Sequence, residues 1–166
     1  MTEAVTKIAK SEHTFGINLL TFSSAKVYDQ VLSDFEKQLG KLDQDKALSS
    51  GSDLIKSVQN MEGKTGLMII GVLNMDALLP ALISSGTRAR QYLVGNPLIA
   101  SKMAQHNTLA ALYAPPRVLV YTGEGKTWIS YDQPSTCFAR LGSNAILETA
   151  KDLDQKFETL VRTALA

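Results

Sequence analysis

Cysteine and histidine are almost missing from this chain: one Cys and two His occur among 166 residues. A lone cysteine, Cys137, closes no internal disulfide and supplies no zinc cluster. His13 and His106 fall on different elements and lack a ligand-type residue one helical turn away, so neither a metal nor any other cofactor is expected. An excess of one charge is missing too. Seventeen Lys and Arg against sixteen Asp and Glu leave a net charge of +1, and no global field draws the protein to nucleic acid or anionic lipid. Long apolar runs are absent: the longest, residues 66–73, stops far short of the ~20 residues of a membrane helix. Glu3, Lys7, Lys10 and Glu12 interrupt the stretch where a secretory signal needs an apolar core. None of Asn18, Asn60, Asn74, Asn96, Asn107 and Asn144 opens an Asn-x-Ser/Thr acceptor. Together these absences predict a cytoplasmic protein with no membrane span and no nucleic-acid partner.

What is present is a core-forming composition, 45% hydrophobic and 20% charged, which excludes disorder. The length fits one domain over 1–166, large enough to bury a core without staples. A strand is expected over His13 to Phe22, with Phe15, Ile17 and Leu19 on one face at period two. Ser23 or Ser24 then caps a helix from about Ala25 to Leu39, closed by Gly40 at a position tolerant of positive φ. Residues 41–52 are polar and read as a mobile segment, and Asp53 to Met61 as a short helix. Gly66 to Leu73 is expected as a buried strand, because Leu67 to Ile70 run apolar without alternation, the pattern of a strand covered on both faces. Asp76 to Ser84 reads as a short helical turn around Pro80, and Ala89 to Val94 as a strand. Asn96 then caps a helix that begins at Pro97 and runs to about Gln105. Arg117 to Tyr131 form a hairpin about Gly123-Glu124-Gly125. A closing helix from Ser143 to Ala164 carries Ile146, Ala150, Leu153, Phe157, Leu160 and Ala164 on one stripe. This order predicts an α+β fold, an antiparallel-type sheet layered by helices, β-α-β-β-α-β-like with a long C-terminal helix.

The stretch Tyr92 to Pro97 ending in Gly-Asn-Pro, Ala114-Pro-Pro-Arg117, Val118 to Tyr121, and Ile129 to Asp132 followed by Pro134-Ser135 resembles the domain-of-unknown-function 302 family. The likeness is specific over residues 88–157 and looser over Phe15 to Leu39, and residues 41–65 have no counterpart. It implies a single-domain α+β fold, often a homo-oligomer, and no established activity, cofactor or catalytic residue.

Several motifs resolve into plain structure. Thr122 to Thr127 imitates the end of a phosphate loop, but Val120 stands where the first glycine is required, and the segment joins two strands. It reads as a hairpin turn. Cys137 with His106 could be drawn as a nucleophile and base, but a lone cysteine after a Ser-Thr turn reads as a small hydrophobe. Tyr121, Trp128 and Tyr131 read as cross-strand packing, with too little flanking charge for base stacking.

One feature is electrostatic. Residues 63–123 carry Lys64, Arg88, Arg90, Lys102 and Arg117 against one acid, Asp76, a local +4 (five minus one). Three are arginines, whose planar fork suits carboxylate or phosphate. The alternative is that they pair with acids elsewhere, such as Asp132 or the last helix. On the ligand reading, the domain binds a small anionic or amphipathic molecule. Arg88, Arg90 and Arg117 supply charge, Asn96 a helix end, and Tyr121, Tyr131, His106 and Asp132 polar contacts. The rival is a homo-oligomeric interaction module, burying an edge strand after Pro115-Pro116 or an apolar face at Leu67, Met68 and Ile70. An enzyme reading would need His106 and Asp132 to converge as base and orienter beside Arg117. Finally, 117 and 132 lie symmetrically about the hairpin turn, which predicts a cross-strand ion pair between Arg117 and Asp132.

Overall fold

The structure is a computed structural model, described for residues 8–166; residues 1–7, which carry part of the N-terminal reading above, lie outside the described residues. The strands are β1 (Leu19–Ser24), β2 (Gly40–Lys41), β3 (Met68–Asn74), β4 (Ala89–Gly95), β5 (Arg117–Gly123) and β6 (Lys126–Asp132). The helices are α1 (Tyr28–Glu36), α2 (Gln44–Ser49), α3 (Leu54–Gln59), α4 (Met75–Leu78), α5 (Pro80–Ser85), α6 (Pro97–Ala104), α7 (Pro134–Phe138) and α8 (Asn144–Leu165). A 3-10 helix, Thr108–Tyr113, links α6 to β5. The strands form one sheet in the order β1-β6-β5-β4-β3-β2, antiparallel throughout except for the two-residue parallel contact of β2 with β3. The expected α+β class with a long last helix is what the chain adopts.

The hairpin supplies the frame. Glu124 (φ 51°) and Gly125 (φ 71°) both take the left-handed region, the backbone of a two-residue turn whose twist matches the strands it joins. Val118 lies opposite Tyr131 and Val120 opposite Ile129, and all four side chains are buried. The residues between them, Arg117, Leu119 and Tyr121 on β5 and Trp128, Ser130 and Asp132 on β6, emerge on the other face and are half-buried or exposed. Helices α1 and α8 cover only the first face. Tyr28, Val31, Leu32 and Phe35 of α1 meet Ile146, Ala150, Leu153, Phe157 and Leu160 of α8 in one core over Tyr92, Val94, Val118 and Tyr131. The stripe expected on the last helix is buried at all six positions, and Ser143 caps it by accepting from the Ile146 N–H.

Five expectations change. The first strand begins at Leu19, and its buried parity is the other one: Leu20 and Phe22 pack on the core, while Leu19 is 67% exposed. The period-two pattern of residues 15–19 belongs to an extended approach held from outside, with Phe15 against the Arg140 guanidinium at 3.6 Å. Helix α1 starts three residues later than read, with Val27 rather than a serine at its cap position. Gly40 is needed for close approach instead of positive φ, because a Cβ there would overlap the Met61 carbonyl. Residues 41–52 hold helix α2, with Asp43 capping it through the Lys46 N–H at 2.9 Å. Finally, β5 is an interior strand and Leu67 and Met68 lie in the protein's own core. Neither surface offered for association is therefore open in the form the sequence suggested.

Phe157 is fully buried and its ring lies 5.4 Å from that of Tyr131. Replacing it with alanine is expected to cost about 3–5 kcal/mol in urea unfolding. Phe15→Ala, at a side chain 38% exposed, should cost under about 1 kcal/mol.

Candidate ligand cleft at the open end of the hairpin

The two ends of the hairpin, remote in sequence, are adjacent in space. Arg117 opens β5 and Asp132 closes β6, and the register continues from Val118–Tyr131 so that the two stand opposite each other. The expected ion pair does not form: no contact within 4.0 Å joins guanidinium and carboxylate. Both lie on the exposed face, where water screens the attraction and closing two long side chains gains little. Both instead line a cleft of about 550 Å³. Its walls are Leu93, Leu112, Tyr113, the Ala114–Pro116 segment, Pro134, Cys137 and Phe138. The sequence explains the enclosure. Two prolines just before β5 and one just after β6 end the strand pairing and turn the backbone outward. Arg140 braces the rim, its guanidinium 3.6 Å from the Tyr113 ring and 3.6 Å from the Phe15 ring.

The remaining candidates do not gather here. Arg88 and Arg90 lie on the helix-covered side, each bound to an acid of α1. Arg88 donates to Asp29 at 2.7 Å, and Arg90 approaches Glu36 at 3.4 Å. The Arg88 hydrogen bond holds the Asp29 carboxyl below its ordinary value. Tyr92 donates to the same Glu36 oxygen at 2.7 Å, and burial with that contact raises its phenol. The alternative reading of the cations therefore describes both arginines, with α1 rather than Asp132 or the last helix supplying the acids. Asn96 does cap α6, accepting from the Leu98 N–H at 2.8 Å. Its amide donates to Glu62 at 2.7 Å and to the Gly66 carbonyl at 2.9 Å, so it ties the loop before β3 to the helix start. A second, apolar cavity of about 210 Å³ lies beside Asn96 and shares Ala114, Pro115, Pro116 and Phe138 with the Arg117 cleft.

His106 is exposed just past the end of α6, its ring 3.4 Å from the Gln105 amide, and it lines none of these hollows. The base-and-orienter arrangement with Asp132 is not assembled. Tyr121 sits on the open face, stacked on Trp128, and forms with Arg117, Asp132, Gln91 and Ser130 a shallower hollow of about 340 Å³ that continues the cleft. Tyr131 turns the other way, its ring between Phe22 and Phe157 in the core. Cys137 does reach the cleft, but burial, with the Asp132 charge adding, pushes its thiol up. That shift disfavours the thiolate, and the side chain contributes to the wall of the cleft. Among the described residues no group of three His, Cys, Asp or Glu could hold a metal ion. No helix there is long and apolar enough to cross a membrane.

The model of the family described as "Domain of unknown function DUF302" matches residues 45–164, which is 120 of the 166 residues. The chain belongs to this family. The match includes residues 45–65, a stretch without a counterpart in the sequence reading. The fold is also that of a solved structure, "Crystal structure of uncharacterized conserved protein DUF302 from Bacillus stearothermophilus". It aligns with a TM-score of 0.63 at 16% identity, covering 88% of this chain and 97% of that one. No curated protein matches this chain. At that identity the relationship speaks for the DUF302 fold and leaves the cleft to be argued from its own residues.

The Tyr131 hydroxyl is buried with no hydrogen-bond partner among the described residues, and burial, with the Glu158 and Asp154 charges adding, pushes its phenol up to about 12. Tyr131→Phe should therefore raise stability, by up to about 1–3 kcal/mol. A raised phenol favours the fold below the ordinary value of 10.0 and withdraws that support as pH climbs toward 12. The variant should accordingly lose less stability between pH 10 and 12, measured by urea titration at each pH.

Proposed function

We propose that this DUF302 domain binds a small amphipathic molecule whose anionic group meets Arg117 at the mouth of the cleft. Arg117 carries the reading. Among the described residues it has no carboxylate within 4.0 Å, whereas Arg88 and Arg90 each have one, and it stands beside an apolar hollow rather than on a flat surface. Its guanidinium offers a fork of donors that no acid occupies. Leu93, Leu112, Tyr113, Pro115 and Phe138 offer apolar walls for the remainder of the ligand. Asp132, opposite Arg117, favours a ligand that also presents a hydrogen-bond donor or cation, and Tyr121 extends the contact along the open face.

Thermal denaturation against aryl and alkyl carboxylates and phosphates, each beside its neutral isostere, tests the proposal. An anion present at about 100 times its dissociation constant should raise the melting temperature by about 5–10 °C. Arg117→Ala should abolish that rise and Arg88→Ala should leave it in place. An equal response to the neutral isosteres, or an undiminished response in Arg117→Ala, would sink the assignment.

A further inference from the structure

The sheet ends at β1, whose outer side is unpaired among the described residues. The Gln133 N–H donates to the Asn18 carbonyl at 2.8 Å. In an antiparallel ladder hydrogen-bonded pairs alternate with non-bonded ones. The next bonded pairs to β6 are therefore Leu20 with Tyr131, Phe22 with Ile129 and Ser24 with Thr127. Leu19, Thr21 and Ser23 then point their N–H and C=O groups away from β6, and among the described residues no backbone or side-chain group meets them. Natural edge strands are protected by charge, proline, a bulge or a covering segment. The sequence Leu-Leu-Thr-Phe-Ser-Ser of β1 has no charge and no proline, and its pairing with β6 has no bulge. The extended residues before it lead away toward α7, where the Asn18 N–H meets the Thr136 hydroxyl at 3.1 Å. From the helix side, the Arg162 guanidinium comes within 5.4 Å of the Phe22 ring without bonding the strand.

We infer that β1 is the docking edge for a second copy of this chain, joined antiparallel about a twofold axis at Thr21. Symmetry makes the edge its own complement. With Thr21 opposite Thr21 of the second copy, Leu19 falls opposite Ser23 and Ser23 opposite Leu19. All three pairs are then of the hydrogen-bonded kind, each exchanging two bonds. The intervening Leu20 and Phe22 fall opposite Phe22 and Leu20 of the second copy, at the closely spaced positions. These side chains are half-buried in the single chain, and they would carry the core across the junction. A foreign strand would need its own register signal, and β1 has no charge with which to set one.

Sedimentation equilibrium at micromolar concentration should give twice the 18.0 kDa chain mass. In amide exchange on the wild-type dimer, Leu19, Thr21 and Ser23 should be protected, and dilution should release them while Leu20, Phe22 and Ser24 stay protected. Thr21→Pro removes the outward N–H, a change an edge strand tolerates, together with the exposed Thr21–Ser130 hydroxyl contact at 3.0 Å. It should weaken the dimer roughly 30-fold or more with the circular dichroism unchanged, and Ser23→Lys should act in the same direction. A wild-type monomer at 100-fold higher concentration, or a dimer whose Leu19, Thr21 and Ser23 amides exchange freely, would overturn the inference. These outcomes are independent of the Arg117 cleft, whose response is read from added anions.

Discussion

The two-residue turn at Glu124-Gly125 sets the register of the β5–β6 hairpin, and that register divides the whole sheet into two unlike faces. Val118, Val120, Ile129 and Tyr131 fall on the side covered by α1 and α8, and Arg117, Tyr121, Trp128 and Asp132 fall on the side away from these two helices. Because β4 pairs with β5 and β1 with β6, both neighbours inherit the same division. A slip of one residue on β5 would carry Val118 and Val120 out of the core and bring Arg117 into it. The turn therefore needs two residues at positive φ, one of them a glycine, where most sequences would splay the strands. The Trp128 indole N–H donating to the Gly123 carbonyl at 2.8 Å fastens the same end.

The same division sorts the charges. Helix α1 brings Asp29, Asp34 and Glu36 to the helix-covered layer, and the cations found near them are the ones that share that layer. Arg88 and Arg90 reach from β4 and the residue before it, and Lys26 meets Asp34 at 2.7 Å. Hydrogen bonds from Gln30, Lys26 and Lys37 hold the Asp34 carboxyl far below the usual carboxylate range. Arg117 has odd parity on β5 and so faces away from α1, beyond the reach of its acids. A charge excess counted along the chain is thus neutralised layer by layer, and what survives is decided by strand parity.

Elements with a self-contained local signal were legible in the sequence. The Asn96-Pro97 helix start, the hairpin and the stripe of α8 each carry their cap, turn or periodicity within a few residues, and each occurs as read. Elements whose reason lies elsewhere were not. The parity of β1 is set by the pairing of Leu20 with Tyr131 across more than a hundred residues, and Gly40 answers to the Met61 carbonyl in a later loop. Helix α2 arises in a polar segment because Asp43 caps it and Ala47 finds Val58 and Met68 to pack against. The cleft was half legible. The proline pair before Arg117 and the proline after Asp132 flank the hairpin in sequence, whereas Tyr113 and Phe138 enter through elements whose docking no local pattern announces.

A group that binds a ligand must have hydrogen-bonding capacity left over after folding, and this criterion separates the polar candidates better than residue type does. Asn96 has two donors and both are spent, on Glu62 and Gly66, while its oxygen holds the Leu98 N–H. Its burial beside a cavity therefore reflects structural closure. Tyr92 has its one donor on Glu36. Arg117 and Asp132 differ, because neither side chain makes a hydrogen bond to another described residue, and both border a hollow whose remaining walls are apolar. In water such groups are satisfied by solvent at little cost. Displacing that solvent is favourable only for a molecule that returns equivalent hydrogen bonds while covering the apolar walls. On the reading proposed above, the apolar walls beside these two solvated groups would favour amphipathic over purely charged ligands.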